Sequence, residues 1–135
     1  MLISVPEIVS ILTSCKTIAV VGLSPKPERP SNQVAVYLEK AGYTIIPVNP
    51  GQDMILAHRS YPDLQSVPVK IDMVDIFRRP QDVLPIVHDS IAIGAKVVWM
   101  QDGVINNEAA TVAREAGLTV IMDRCVQRDH LQFIT

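Results

Sequence analysis

The chain has 135 residues, 48% of them hydrophobic, and a formal net charge of −2. This length predicts one domain with a buried core, and the charge gives no electrostatic reason to expect nucleic acid. No apolar run approaches the roughly 18 residues of a membrane span, and the N-terminus lacks the basic region and cleavage site of a signal peptide. Cys15 and Cys125 are too few and too far apart to predict a disulfide framework or a zinc site. We therefore expect a soluble cytoplasmic protein.

The first third of the chain predicts helix, strand, helix and strand in that order. Ser4 and Glu7 have the spacing of a capping box, and Pro6 falls in the first turn, which predicts a short helix to about Ser14. Apolar residues on both faces predict strands that are covered on both sides. The other elements predicted here are strands at residues 17–22 and 43–48 and, between them, a helix at 32–41 that is capped by Ser31 and ended by Gly42.

The rest of the chain continues the alternation after an irregular segment. Residues 51–69 are predicted to contain at most one turn of helix, after Tyr61. Pro85 falls in the first turn of the following predicted helix, where a missing N–H does little harm. The elements predicted here are strands at residues 71–77, 96–100 and 118–122, a helix from its cap Asp82 through Ile93, and a helix from Asn106 or Asn107 to Ala116.

Strands that alternate with helices predict an α/β fold, namely a three-layer, Rossmann-like open parallel sheet of five strands with right-handed crossovers. The spacing favours the strand order 3-2-1-4-5, in which the chain crosses from one half to the other between strands 1 and 4. Ligands of such sheets bind at this switch point, outside the carboxyl ends of the strands. We therefore expect the site in two loops, residues 22–31 and residues 101–106.

The loop at residues 22–31 has one glycine where the NAD fingerprint has three, and the second strand ends in Asn49 instead of a ribose-binding acid. Lys26 and Arg29 suit a ligand with extra phosphate on its adenosine end. The helix that follows Ser31 can receive a pyrophosphate at its N-terminus. A solvated loop with two charges is the alternative interpretation, and the three prolines that stiffen the loop argue against it.

Five segments carry a resemblance to a known family. They are "VVGLSPKPERPSNQVAVYL", "IPVNP", "VDIFRRPQDV", "AIGAKVVWMQDGVINNEAA" and "VIMDRC", in this order. Together they resemble the small stand-alone CoA-binding proteins, whose Rossmann-like domain is similar to the CoA-binding domain of the succinyl-CoA synthetase α subunit. The resemblance covers the chain from about Val5 to His130 and implies that coenzyme A lies across the switch point.

The resemblance also implies which parts of coenzyme A meet which parts of the site. The pyrophosphate is expected at the loop after the first strand and at the helix start, the adenosine at the ends of strands 2 and 3, and the pantetheine arm along strand 4. The binding residues so implied are Gly22, Leu23, Ser24, Lys26, Arg29, Pro30 and Ser31 for the first part, Asn49, Pro50, Phe77 and Arg78 for the second, and Trp99, Met100 and Gln101 for the third.

Several of these residues keep a second interpretation. Phe77 and Trp99 are more often core or rim residues than ligand-stacking ones, and Arg78 and Arg79 are either a solvated pair or attract the 3′-phosphate. Asp102 stands where the family pattern has an apolar residue, and its carboxylate would repel an anionic ligand unless it points away or pairs with a base. No catalytic residue is assigned, and the three histidines, His58, His88 and His130, have no spacing typical of a metal site.

Three functions stay open. The favoured one is a module that binds coenzyme A or an acyl-CoA without chemistry of its own, with a homo-oligomer or another protein partner left open. The second is an enzyme: a nicotinamide-dependent one should have an acid at Asn49, and a ligase α subunit should continue beyond Thr135 into a domain with a phosphorylatable histidine. The third is a thiol-redox protein in which Cys125 forms a mixed disulfide with CoA, assisted by Arg124 and His130 because nearby cations favour a thiolate. A buried, inert cysteine is the commoner outcome.

Overall fold

A parallel sheet between two helical layers forms the fold, in a computed structural model that describes residues 3–134. In chain order the elements are α1 (Val5–Ser14), β1 (Thr17–Val21), α2 (Pro30–Lys40), β2 (Thr44–Val48), β3 (Met54–Ile55), β4 (His58–Arg59), β5 (Met73–Ile76), α3 (Val83–Ala92), β6 (Val97–Met100), α4 (Asn107–Glu115), β7 (Thr119–Ile121) and α5 (Val126–Phe133). Short 3-10 helices lie at Leu64–Ser66 and Pro80–Asp82. In this described part of the chain, no helix is both long and apolar enough to cross a membrane.

The predicted α/β class with five parallel strands is confirmed, but the predicted strand order 3-2-1-4-5 is wrong. The strands lie in the order β2-β1-β5-β6-β7, which is 2-1-3-4-5 when the five are numbered among themselves. β1 pairs directly with β5, from Ile18 opposite Met73 to Val21 opposite Ile76. The switch point therefore lies between strands 1 and 3, and not between strands 1 and 4.

The segment between β2 and β5 explains the observed order. Tyr61 pairs with Val48 at the end of β2, and the antiparallel hairpin of β3 and β4 lies beside the same strand, so this edge is covered. Leu64 then packs in the layer of α3 and α4, on the face opposite α2. The chain returns across that second face and joins the sheet on the free side of β1, which keeps the crossover right-handed.

Alternate residues of each strand enter the two helical layers. Ile18 and Val20 of β1 pack with α1, α2 and α5, whereas Ala19 and Val21 pack with α3 and α4. All four are buried, which accounts for the continuous apolar run in the sequence, because a strand covered on both faces has no solvent side.

Only some of the predicted helix caps are present. The capping box is present, with the Glu7 backbone N–H donating to Ser4 Oγ, and Asn106 Oδ1 accepts from the backbone N–H of Ala109 at 2.9 Å. Ser31 does not cap α2, which begins one residue earlier, at Pro30. Asp82 stands at the N-cap position of α3 without a side-chain cap, because its carboxylate accepts from Arg79 Nε at 3.0 Å. The last helix, α5, was not predicted.

Candidate functional site

A cavity of about 900 Å³ opens at the carboxyl edge of the sheet. Its walls are the loops that follow β1, β5, β6 and β7, together with the start of α2. The lining residues come in four groups: Gly22, Ser24, Lys26, Arg29, Pro30, Ser31 and Val34; Phe77, Arg78, Arg79, Pro80 and Asp82; Gln101, Asp102, Gly103 and Val104; and Cys125. The cavity therefore lies at the switch point, where open parallel sheets bind ligands.

At Gly22, the loop after β1 lies directly against the backbone of the loop after β5. Its φ is +87°, and a Cβ built there would lie 2.1 Å from the carbonyl oxygen of Phe77. The backbone N–H of Gly22 donates to Val48, and that of Phe77 donates to Val21, both at 2.9 Å. Only glycine fits this position, because any side chain would push the two walls of the cavity apart.

The loop after β1 is held in shape by three side chains. Ser31 Oγ accepts from the backbone N–H of Ser24 at 2.9 Å, and Asn32 Nδ2 donates to the carbonyl of Ser24 at 2.9 Å. Asn49 Nδ2 donates to the carbonyl of Leu23 at 3.0 Å. Asn49 thus supports the loop from behind, and neither Asn49 nor Pro50 is among the residues that line the cavity.

Positive charge without a partner surrounds the N-terminus of α2. The first turn of this helix contains no acidic residue, so the partial positive charge of its N–H groups is not offset. Among residues 3–134, no carboxylate lies within ion-pair distance of Lys26, Arg29 or Arg78. This side of the cavity is therefore suited to an anion with several charges.

The opposite side of the cavity carries charges that are paired. Arg128 donates to both carboxylate oxygens of Asp102 at 2.8 Å, and these bonds lower the pKa of the Asp102 carboxyl. Arg124 donates to both oxygens of the buried Asp129, at 2.7 and 2.9 Å. The repulsion that Asp102 would exert on an anion is therefore largely offset, since this carboxylate pairs with a base.

Three of the residues that the resemblance implied for the site lie beneath its walls. Leu23, Trp99 and Met100 are fully buried and do not line the cavity. Trp99 Nε1 donates to the carbonyl of Arg124 at 2.8 Å, and Gln101 Oε1 accepts from the backbone N–H of Val126 at 3.1 Å. Trp99 and Gln101 thus fix the segment that contains Cys125, a half-buried residue at the N-cap position of α5.

Three lining residues were missed by the sequence-based prediction: Val34, Pro80 and Asp82. Gly103 and Val104 lie in the expected loop at residues 101–106, and Arg79 was a candidate for the 3′-phosphate. Two of the missed residues, Pro80 and Asp82, follow β5, whose place beside β1 was not predicted. A signal for Val34 was present, because it lies one helical turn after Pro30 and shares its side of α2. Among the described residues, no group of three or more His, Cys, Asp or Glu side chains is arranged to hold a metal ion.

The fold and the cavity define a class, that of α/β proteins with a ligand site at the switch point of an open parallel sheet. The sequence matches the CoA binding domain family over residues 16–130. The chain therefore belongs to that family.

Two proteins are similar to the chain along most of its length. The uncharacterised protein YneT of Bacillus subtilis (strain 168) is 41% identical over 124 residues, which cover 92% of each chain. A hypothetical protein from Pyrococcus horikoshii OT3 is similar in structure with a TM-score of 0.96 and 42% identity, over 98% of this chain and 94% of that one.

A larger protein contains a similar unit. The dinucleotide-forming acetyl-coenzyme A synthetase 1 of Ca. Korarchaeum cryptofilum, in complex with phosphate and ADP, has a TM-score of 0.71 and 25% identity. The similarity covers 80% of this chain and 26% of the synthetase. The fold described here is thus also similar to one part of a coenzyme A ligase.

Proposed function

We propose that the protein binds coenzyme A, or an acyl-CoA, in the switch-point cavity and performs no chemistry on it. Membership in the CoA binding domain family supports the ligand class. The observation that carries the proposal is the set of three cations without acid partners, Lys26, Arg29 and Arg78, around the N-terminus of α2. Coenzyme A carries a diphosphate and a 3′-phosphate, which matches a site with several separate positive groups.

In this proposal, each part of the coenzyme has its own place along the walls of the cavity. The diphosphate meets the start of α2 and Lys26, where free N–H groups and a cation act together. The 3′-phosphate meets Arg78, and a charge-assisted bond of this kind contributes about 1.5–3 kcal/mol. The pantetheine arm crosses Phe77 toward Gln101 and Cys125, so the thiol end lies on the side where the protein charges are paired.

Asn49, which follows β2, argues against a nicotinamide-dependent enzyme. Asn49 Nδ2 donates to Leu23, and Asn49 Oδ1 accepts from the backbone N–H of Gly51 at 2.9 Å. Both ends of this amide are therefore used by the protein itself. An NAD site would need a carboxylate here for the ribose hydroxyls, and the side chain at this position is both neutral and already bonded.

Calorimetry with coenzyme A, dephospho-CoA and NAD tests the proposal. Coenzyme A is expected to bind more tightly than dephospho-CoA, by a factor of about 10 to 100 for the loss of one charge-assisted contact. Equal affinities would remove the assignment of the 3′-phosphate, and a preference for NAD would overturn the proposed function. Native mass spectrometry of protein purified without added ligand gives a second readout, because a retained mass identifies the ligand.

A second function is favoured by the position of Cys125. This thiol lines the same cavity, on the side assigned to the coenzyme thiol. In exchange with CoA disulfide, the Cys125 thiolate attacks one sulfur, a Cys125–CoA disulfide forms, and the second CoA leaves as its thiolate. The chain would then hold CoA covalently in oxidising conditions.

Intact mass after treatment with CoA disulfide tests this second function. One added CoA is expected, and it should disappear in Cys125→Ser and on reduction. Cys15 is an internal control, because it is buried and its burial raises the pKa of its thiol. An unmodified protein, or an adduct confined to Cys15, would exclude the redox function without affecting reversible binding of coenzyme A.

A further inference from the structure

Asp75 places a carboxyl group in the middle of the sheet. It lies on β5 between Val20 of β1 and Trp99 of β6, and it is fully buried. Neither of its carboxylate oxygens has a hydrogen-bond partner among residues 3–134. The indole N–H of the neighbouring Trp99 is already donated to the carbonyl of Arg124.

The fold alone does not explain this residue. Burial of a carboxyl without a partner is strongly unfavourable, and this burial raises the pKa of Asp75 well above its ordinary value, which favours the neutral acid. An aliphatic side chain, like the neighbouring Val20, would pack at the same position without that penalty. A buried polar group that the protein itself leaves unpaired indicates a partner from outside the chain.

The cavity is the nearest place from which such a partner can come. Side chains alternate along a strand, so Asp75 faces the same layer as Phe77, about 6.6 Å further along the chain. Phe77 lines the cavity, and so do Val34 and Cys125, which belong to the same layer. Phe77 and Cys125 are only half-buried, so a change of rotamer at either residue would open this layer of side chains toward Asp75.

The chemistry of a neutral acid selects the kind of group that it can bind. A phosphate gains little from a neutral acid and is better served by Lys26, Arg29 and Arg78. An amide suits the acid well, because its N–H can donate to the acid carbonyl and its carbonyl can accept from the acid O–H. Coenzyme A has amides in its pantetheine arm and none in its adenosine bisphosphate half.

We propose that Asp75 forms a hydrogen bond with an amide of the pantetheine arm when the Phe77 side chain turns aside. Asp75 is thus a specificity residue that separates ligands with a pantetheine arm from ligands that share only the nucleotide. This inference rests on the proposed function and adds to it the residue that recognises the arm.

Binding of two probes to matched variants tests the inference. The probes are coenzyme A and adenosine 3′,5′-bisphosphate, which lacks the arm. Asp75→Val is expected to weaken coenzyme A binding by about tenfold or more, since a buried hydrogen bond is lost, and to leave the bisphosphate affinity unchanged. Asp75→Asn, which can still donate and accept, should retain most of the affinity. Met73→Leu, a substitution on the same strand and face, is the control for altered packing.

An infrared measurement on the wild-type protein covers the case in which a variant does not fold. The carbonyl stretch of the neutral acid, assigned by its loss in Asp75→Asn, should shift with coenzyme A and stay in place with the bisphosphate. A band that does not move with either probe, or Asp75→Val with unchanged coenzyme A affinity, overturns the inference. An equal loss of affinity for both probes in Asp75→Val also overturns the inference, since that result indicates a structural role for Asp75. If the wild-type protein binds neither probe, the proposed function itself is wrong.

Discussion

The two sides of the cavity differ in how many of their charged side chains form ion pairs. Beside β1 and β5, Lys26, Arg29 and Arg78 have no acid partner among residues 3–134, although Arg79 pairs with Asp82. Beside β6 and β7, both Arg124 and Arg128 are held by carboxylates. Cations that repel one another without a partner reduce stability, and under the proposed function the phosphates of coenzyme A offset this repulsion. The paired arginines instead fix the position of a loop and a helix. Under the proposed function, charge serves ligand recognition on one side of the cavity and holds elements of the fold together on the other.

The largest effect is expected where the two walls meet, at Gly22. Gly22→Ala should lower the free energy of unfolding by about 3–5 kcal/mol and abolish coenzyme A binding, because the new Cβ collides with the backbone of Phe77. Gly42→Ala is the matched control: its φ is also positive, but a Cβ there meets nothing within 4 Å. That variant should lose only about 1–2 kcal/mol and bind normally. Chemical denaturation and calorimetry measure both, and equal losses would show that the contact with Phe77 is unimportant.

Asp75 lies on β5, between β1 on the unpaired side and β6 on the paired side, and it should make stability depend on pH. Burial raises the folded pKa above the unfolded value of 3.8, so between these two values the unfolded chain releases a proton that the folded chain keeps. The free energy of unfolding should therefore fall by about 1.4 kcal/mol for each pH unit in this window, and Asp75 should add no pH dependence below pH 3.8. Asp75→Asn does not titrate, so its stability relative to wild type should rise with pH. Urea denaturation at a series of pH values checks this, and parallel curves would contradict it.

Removal of one unpaired cation should affect ligand choice more than stability. Arg78→Gln is expected to weaken coenzyme A binding by about 1.5–3 kcal/mol and dephospho-CoA binding much less, because the contact is to the 3′-phosphate. The difference in affinity between coenzyme A and dephospho-CoA should become smaller as salt is added. Arg114→Gln, which removes a cation from the last turn of α4, is the control and should change neither affinity. A loss of the same size for both ligands would place the 3′-phosphate away from Arg78.

The smallest effect is expected on the paired side. Arg128→Gln leaves Asp102 without its partner, and an exposed pair of this kind contributes at most about 1 kcal/mol. At low salt, the variant should bind coenzyme A a few-fold more weakly than the wild-type protein does. At high salt the two affinities should become equal, because the freed carboxylate repels the anion only while it is unscreened. The double variant Arg128→Gln, Asp102→Asn should bind like wild type. A loss that persists in the double variant would assign a direct ligand contact to Arg128.

The sequence was sufficient for the class of fold and for much of one wall of the cavity. Alternating strands and helices, the capping box at Ser4 and the loop at residues 22–31 are local features, and the structure contains each of them. The strand order is not local. It depends on how Tyr61 and the hairpin cover the edge of β2. The hydrophobic pattern of β5 predicts a strand, but it does not predict which side of β1 that strand joins. Residues after β5, such as Pro80 and Asp82, were missed for this reason.

Polar residues at the site were harder to predict than apolar ones. Ser31 and Asn49 have the chemistry of ligand contacts, yet their side chains hydrogen-bond the protein backbone, and composition does not separate the two roles. The Asp102–Arg128 pair joins residues far apart in the chain, through a helix that was not predicted. Asp75 did leave a signal, since a carboxyl interrupts the apolar segment "MVDIF", a pattern unexpected for a strand buried on both faces.

The bracing of the loop after β1 has a consequence for the speed of ligand capture. Hydrogen bonds to the Ser31 hydroxyl and from the Asn32 and Asn49 amides already hold this loop in shape. Little ordering of the loop therefore remains when the ligand arrives. Capture need not wait for a loop to close and is governed by diffusion in the field of the exposed cations. Salt should therefore slow the arrival of coenzyme A, whereas its departure should depend mainly on the contacts made by the arm.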